Sequence, residues 1–119
     1  MSYDISFKVK AEGVDAYVDV GCCDANITWN VREIITRSTG LPWKNEANNG
    51  YVKDVIPSIK KGLKELREHP ERYKPYEAKN GWGTVHGTIR FFESILDSWA
   101  DFIRFQDEKL VDVVTFWIE

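Results

Sequence analysis

The sequence predicts an α+β protein in which a three-stranded antiparallel sheet carries helices packed on one face, in the order ββαααβ. Three observations lead to this prediction: two runs of period two near the start, three stripes of helical period in the middle, and a short apolar run at the end. The chain has 119 residues, of which 43% are hydrophobic, an ordinary composition for one core. We therefore expect a single domain over residues 1–119.

A β-hairpin is predicted at the start of the chain. Apolar side chains alternate with polar ones along the first ten positions, at Tyr3, Ile5, Phe7 and Val9. The alternation returns at Val14, Ala16, Val18 and Val20. Ala11, Glu12 and Gly13 make a short connection between the two runs, so we expect two antiparallel strands that each bury one face.

Three helices follow in the sequence. The first is predicted from Val31 to Thr39, because apolar residues recur at helical spacing and Gly40 closes the segment. The second begins near Asp54 and ends before Pro70, since Pro57 is tolerated in a first turn. The third runs from Val85 to Ile103 and has an apolar face wide enough to be central in the core.

A last strand is predicted from Val111 to Glu119, with apolar residues on both faces. Such a strand requires an interior position, so we place it beside the first strand. Its two apolar faces also leave open a homodimer that covers a sheet edge or face.

The charge and the start of the sequence exclude several classes of protein. The formal net charge is −3, which opposes a protein that coats nucleic acid through its backbone phosphates. The first residues match no secretory signal, and no apolar run reaches membrane-spanning length. We expect a cytoplasmic protein without a membrane partner.

The sequence contains no recognisable catalytic, cofactor or metal motif. Cys22 and Cys23 are adjacent, so a bond between them would be strained, and the sequence has no third cysteine for a disulfide framework. His69 and His86 show no metal-ligand spacing with them. Because a nucleophile elbow and a phosphate loop are also lacking, we expect a non-enzymatic protein without a cofactor or a bound metal.

A polar segment precedes the first predicted helix. If residues 24–31 stay extended, Asn26, Thr28 and Asn30 project to one side, next to Trp29, and form a hydrogen-bonding surface. The alternative is that these side chains cap the helix that follows, since Asn and Thr are favoured at such positions. The two interpretations can coexist.

Two further segments are predicted to be polar and aromatic loops by their Gly, Pro and Asn content. Residues 41–50 contain Trp43 and Lys44, and residues 79–84 contain Asn80 and Trp82. Trp82 lies between two glycines, which let a ligand approach the backbone while the indole offers a stacking face. A tight turn that packs Trp82 against the core is the alternative.

Thr84 is a candidate N-cap of the longest helix, whose free N–H groups would make an anion site. His86 and Arg90 would lie close by. The candidate ligand-binding residues are thus Asn26, Thr28, Trp29, Asn30, Trp43, Lys44, Asn80, Trp82, His86 and Arg90.

Two of these segments, Asn26-Ile-Thr-Trp-Asn-Val31 and Asn80-Gly-Trp-Gly-Thr-Val-His-Gly87, resemble a pattern in small uncharacterised proteins of phages and bacterial mobile elements. In that group the first motif reads Asn, Ile or Tyr, Thr, any residue, Asn, Val. The second motif, Asn-Gly-Trp-Gly, opens a helix. The resemblance implies an accessory gene that serves host takeover or counter-defence, for example by inhibiting a CRISPR nuclease or sequestering a nucleotide signal.

These observations support two functional hypotheses. In the first, the chain binds a small, nucleotide-like ligand through the Asn side chains and Trp82. In the second, it is a protein-interaction module, such as an anti-CRISPR inhibitor of a bacterial immune nuclease, that acts through an acidic surface and exposed aromatic residues. A third interpretation is that both motifs are structural and Trp82 fills the core.

Overall fold

The protein is described here from a computed structural model, which covers residues 2–21, 23 and 25–119. The strands are β1 (Ser2–Lys10), β2 (Tyr17–Asp19), β3 (Asn26–Thr28), β4 (Ala47–Tyr51) and β5 (Thr115–Ile118). The helices are α1 (Arg32–Thr39), α2 (Val52–Glu68), α3 (Val85–Arg104) and the single turn α4 (Glu108–Val111). Short 3₁₀ turns occupy Trp29–Val31, Pro70–Arg72 and Lys74–Tyr76.

The sheet is antiparallel and has five strands, in the order β2-β1-β5-β4 with β3 also paired to β1. The prediction of an α+β fold is confirmed, but the prediction of three strands is wrong. β3 pairs with Ser2–Asp4 at the start of β1, and β2 pairs with Lys8–Lys10 at its end. The long β1 therefore holds two short strands in succession.

The strand β4 was predicted to be part of a loop. Its sequence, Ala-Asn-Asn-Gly-Tyr, is rich in residues that disfavour strands. It is nevertheless extended because it pairs with β5, from Ala47 opposite Ile118 to Tyr51 opposite Thr115. The register shifts between Asn48 and Tyr51, and Gly50 lies there with a φ of 106°, which glycine tolerates best.

The last strand lies between β1 and β4, so its predicted interior position beside the first strand is confirmed. Its predicted start at Val111 is wrong, because Val111 belongs to α4 and Val113 is exposed. Within β5, Phe116 and Ile118 are fully buried towards the core. Four residues suffice because both sides of the strand are paired.

The predicted hairpin is present, with β2 antiparallel to β1, but β2 has only three residues. Val14 and Val18 are exposed, so the expectation that the second run buries one face is wrong. The physical reason is position: β2 pairs only with the end of β1, where the sheet extends beyond the cover of the helices.

The helices α1 and α3 lie where the sequence predicts them. The helix α2 starts at Val52, before the predicted Asp54, so Pro57 lies in its second turn and not in its first. Val52 is buried and its N–H donates to Val114 O at 2.9 Å. This contact starts α2 directly at the end of β4.

The core lies between the sheet and the helices. Tyr3 and Phe116 from the sheet meet Phe91 from α3 around Trp43, whose ring contacts all three at 5.7–6.1 Å between centroids. Trp43 is 3% exposed, and its Nε1 finds no hydrogen-bond partner among the described residues. No helix in the described part of the chain is long and apolar enough to cross a membrane.

Gly62 in α2 lies where side chains of α1 and α3 approach the helix closely. A Cβ at this position would lie 2.7 Å from Thr39 Cγ2 and 3.0 Å from Phe92 Cε2. Both side chains are buried, so neither can move freely. The glycine that weakens α2 as an isolated helix is therefore required by the packing of three helices.

We predict that Gly62→Ala lowers the free energy of unfolding by about 1–3 kcal/mol through overpacking. This effect opposes the gain of about 1 kcal/mol in helix propensity. Urea unfolding measures the difference, with Ser94→Ala on the exposed face of α3 as the propensity control. A Gly62→Ala protein more stable than the wild type would contradict the close approach.

Glu119 fastens the end of the chain to β1. Its carboxylate accepts hydrogen bonds from Lys8 Nζ and from Ser6 Oγ, and its backbone pairs with Asp4. The hydrogen bond from Lys8 is the main reason that the pKa of Glu119 is lowered from 4.5, while partial burial acts in the opposite direction. The charged form of Glu119 is therefore favoured in the folded state.

Because the folded pKa of Glu119 is lowered, its contribution to stability is present above pH 4.5 and is lost as the pH falls through the folded pKa. We predict that Glu119→Gln is less stable than the wild type at pH 7, and that the gap closes in acid. Urea unfolding at pH 7 and at a pH well below 4.5 tests this prediction, with Glu12→Gln at an exposed position as the control. A difference in the free energy of unfolding that increased in acid would contradict the lowered pKa of Glu119.

Candidate functional site

The two sequence motifs lie against each other in the structure. Asn30 Nδ2 donates a hydrogen bond to Trp82 O at 2.9 Å. A Cβ on Gly83 would lie only 2.9 Å from Asn30 Cβ, so glycine is needed for this approach. The 3₁₀ turn after β3 and the loop before α3 are thus joined by one amide side chain.

The loop that carries Trp82 is held by its own hydrogen bonds. Asn80 Oδ1 accepts from Trp82 N at 2.9 Å, and the backbone of Ala78 pairs with Gly81 and Gly83. Trp82 itself is 72% exposed. The interpretation that Trp82 packs into the core is therefore wrong: the turn holds its backbone and leaves the indole in solvent.

The first motif attaches the chain to the start of β1. Asn26 Nδ2 donates to Asp4 Oδ1 at 2.5 Å and to Ser2 Oγ at 3.2 Å. Trp29 Nε1 donates to Ser2 O at 2.8 Å, and its ring stacks on Tyr3 at 5.9 Å. These contacts are internal to the fold.

The expectation that Asn26, Thr28 and Asn30 line one surface is wrong. β3 ends at Thr28, and Asn30 lies in a 3₁₀ turn. Thr28 Oγ1 accepts from Asn30 N at 3.4 Å, as the capping interpretation predicts. The alternation of an extended chain therefore stops before it reaches Asn30. The segment's first residue, Asp24, and also Cys22 lie outside the described residues; Cys23 is half-buried against the core.

Trp43 and Lys44 belong to a different part of the molecule. Trp43 is a core residue, so its ring is not available to a ligand of nucleotide size. Lys44 is exposed, and its backbone N–H and C=O are both bound by the side chain of Asn49, at 2.9 Å each. The cleft beside them has a volume of about 80 Å³, room for a few water molecules only.

The helix α3 does not offer the free anion site that its N-terminus predicts. Thr84 is the N-cap, as expected, and its Oγ1 accepts from Gly87 N at 2.9 Å. Glu77 Oε2 accepts from Val85 N at 2.8 Å. The carboxylate of Glu77, which the sequence analysis did not single out, thus occupies the position of the expected anion.

His86 and Arg90 begin an exposed stripe along α3. They are four residues apart, so they share one face of the helix, and Asp97 and Asp101 continue that face. From His86 to Asp101 the stripe extends about 22 Å at helical rise. We call these four residues the α3 stripe; it begins beside the Trp82 loop and becomes acidic towards its other end.

Four clefts on the described surface are lined by residues other than Asn26, Asn30, Asn80 and Trp82. One of these clefts has a volume of about 530 Å³ and lies on the sheet face opposite the helices. Sequence analysis missed it because it depends on β4, whose strand character was not predicted. Among the described residues, no three His, Cys, Asp or Glu side chains cluster as metal ligands would.

Comparisons of the chain with models of protein families, with curated proteins and with solved structures found no match.

We predict that Asn30→Ala lowers the free energy of unfolding by about 0.5–1.5 kcal/mol, the usual effect of one lost hydrogen bond, and loosens the Trp82 loop. Hydrogen exchange at the Gly81 amide should become faster, because that amide donates within the loop. Exposed Gln106→Ala is the matched control. Unchanged exchange at Gly81 would show that Asn30 does not hold the loop.

Proposed function

We propose that this chain is a non-enzymatic cytoplasmic binding protein of the accessory kind encoded by phages and bacterial mobile elements, and that Trp82 is its main contact with a bacterial protein. The observation that carries the proposal is the exposure of Trp82 on a loop whose backbone is fixed. A large exposed indole has no role in packing, while it is the residue most enriched at the centres of protein interfaces.

The fixed loop favours binding for an energetic reason. Ordering a flexible segment on association costs free energy, and a contact that is already held avoids most of that cost. Two hydrogen bonds of 2.9 Å hold the backbone of Trp82: its N–H donates to Asn80 Oδ1, and its C=O accepts from Asn30 Nδ2. The two asparagines of the motifs therefore support the contact residue without touching the partner.

Charge favours a partner with a basic surface. The α3 stripe places Asp97 and Asp101 on the same helix that follows Trp82, and the whole chain carries a net charge of −3. Nucleases present basic channels because they bind phosphates. An immune nuclease of the CRISPR type therefore fits both the acidic end of the stripe and the counter-defence context that the motif resemblance implies.

A nucleotide-like ligand at Trp82 is the second candidate, and the free face of the indole favours it. A base could stack on this face. The neighbouring amides favour it less, because Asn26, Asn30 and Asn80 are already engaged within the fold. The shape of the surface also favours a protein partner, because small ligands usually occupy concave sites and the indole of Trp82 is exposed.

We predict that Trp82→Ala weakens binding to the bacterial partner at least about 30-fold, the effect of an interface residue worth 2 kcal/mol, while stability changes by less than about 0.5 kcal/mol. The chain and its variants are purified from a bacterium with an active RNA-guided nuclease system. Native mass spectrometry identifies bound proteins or small molecules, and interferometry then measures their affinity.

Phe105→Ala is the matched control, because Phe105 is an equally exposed aromatic residue, 79% accessible, at the other end of α3. It should leave the affinity within about two-fold. Reversal of charge in the Asp97→Lys, Asp101→Lys variant should weaken binding and reduce its dependence on salt. A small-molecule adduct lost in Trp82→Ala would support the second candidate, and equal binding by Trp82→Ala and Phe105→Ala would reject both.

A further inference from the structure

The open face of the sheet forms a cleft that is separate from Trp82. Side chains alternate across a strand, so the register places Lys10 beside Tyr17 and Thr115 beside Tyr51 on the face opposite the helices. Together with Asn48 these residues line a cleft of about 530 Å³. That volume lies within the range of about 300–1,000 Å³ typical of small-ligand sites.

Two tyrosines stand on either side of this cleft. Tyr17 is 38% exposed and Tyr51 is 47% exposed, although both belong to strands. They are separated by three strand spacings, from β2 across β1 and β5 to β4, or roughly 14 Å along the sheet. The ring of Trp117 contacts the ring of Tyr17 at 5.1 Å between centroids. Aromatic rings on an open sheet face are a stacking surface for planar groups.

The charge of the lining favours an anion. Of the described residues that line the cleft, only Lys10 carries a charge. Its ion pair with Asp15 is long, 3.7 Å, and both side chains are exposed, so the pair is weak. Lys10 can therefore exchange Asp15 for a ligand anion. Lys8 is held by Glu119, and Lys53, whose Nζ lies 5.7 Å from the ring centroid of Tyr51, is 3.7 Å from Asp112 Oδ1.

Polar groups of the cleft can select among planar ligands. Asn48 Oδ1 accepts from Gly50 N at 2.9 Å, which fixes the amide plane and directs its NH₂ group away from that bond. Thr115 Oγ1 donates to Lys8 O at 2.6 Å and accepts from Trp117 Nε1 at 2.9 Å. The NH₂ group of Asn48 therefore keeps hydrogen-bonding capacity for the edge of a base, whereas Thr115 Oγ1 is already engaged.

From these observations we propose that the cleft on the sheet face binds a nucleotide, with its base stacked on Tyr17 or Tyr51, its base edge hydrogen-bonded by Asn48 and its phosphate paired with Lys10. The inference is independent of the proposed function of Trp82. The same chemistry is presented by a free mononucleotide and by a segment of single-stranded nucleic acid. Because the lining has one cation and the chain is acidic, a free mononucleotide is the expected source.

Calorimetric titration of the full chain with adenosine monophosphate, uridine monophosphate, adenosine, inorganic phosphate and a five-nucleotide oligoadenylate tests the proposal. A mononucleotide should bind with a dissociation constant below about 1 mM, more tightly than adenosine or phosphate alone. Amide NMR shifts should centre on Asn48 and Tyr51. An oligonucleotide that binds much more tightly than the mononucleotide would identify the single strand as the source; equal affinity would identify the free nucleotide.

Variants locate the site and assign its parts. Tyr51→Ala should weaken binding about ten-fold or more through lost stacking, and Lys10→Gln should remove the preference for the nucleotide over adenosine. Asp15→Asn should tighten binding about two- to five-fold, because it removes the carboxylate that competes for Lys10. Phe105→Ala, at an exposed aromatic residue that does not line the cleft, is the control and should leave binding unchanged. Trp82→Ala separates this cleft from a nucleotide site at Trp82.

Any one of three results would overturn the proposal. No probe binds at millimolar concentration, the nucleotide still binds to both Tyr51→Ala and Lys10→Gln, or binding is lost in Trp82→Ala. Circular dichroism of each variant shows whether it is folded, and Asp15→Asn, at a fully exposed residue, gives an answer even if Tyr51→Ala does not fold.

Discussion

The insertion of β5 between β1 and β4 is the interaction on which most of the structure depends. β1 and β4 have no described pairing with each other, so the four residues of β5 supply the ladder that joins them. Thr115 adds a side-chain hydrogen bond to Lys8 O, and Glu119 continues the attachment to Asp4. The strands β1 and β5 are therefore neighbours although they lie more than 100 residues apart in sequence, and such long-range contacts slow folding.

The same pairing explains both faces of the sheet. On the inner face, Phe116 and Ile118 meet the helices and are fully buried. On the outer face, Thr115 lies between the side chains of β1 and those of β4, and it lines the cleft between Tyr17 and Tyr51. A strand that the sequence shows to be apolar on both sides thus builds the core with one side and a ligand-sized cleft with the other.

Local patterns predicted the long elements and failed for the short ones. The helix α3 was predicted within one residue because its stripe extends over many turns and Thr84 caps it. β3 and β4 were missed, since Asn-Ile-Thr and Ala-Asn-Asn-Gly-Tyr are too short or too irregular to show an alternation, and they become strands only by pairing with β1 and β5, far away in sequence. The two motifs were recognised from the sequence, but the orientation of the Asn30 side chain was not predicted. That orientation depends on a 3₁₀ turn and on the hydrogen bond to Trp82 O, which lies 52 residues further along the chain.

Glycine and asparagine in the two motifs hold the backbone of the Trp82 loop in place. Gly83 lets Asn30 approach the loop, Asn80 closes the turn, and the result is an exposed indole on a fixed backbone. If the loop served folding alone, a smaller residue than tryptophan at its tip would keep every one of these hydrogen bonds, because they involve only the backbone of Trp82. The fold does not explain the exposed indole, which is why the proposed function assigns it to an interaction outside the chain.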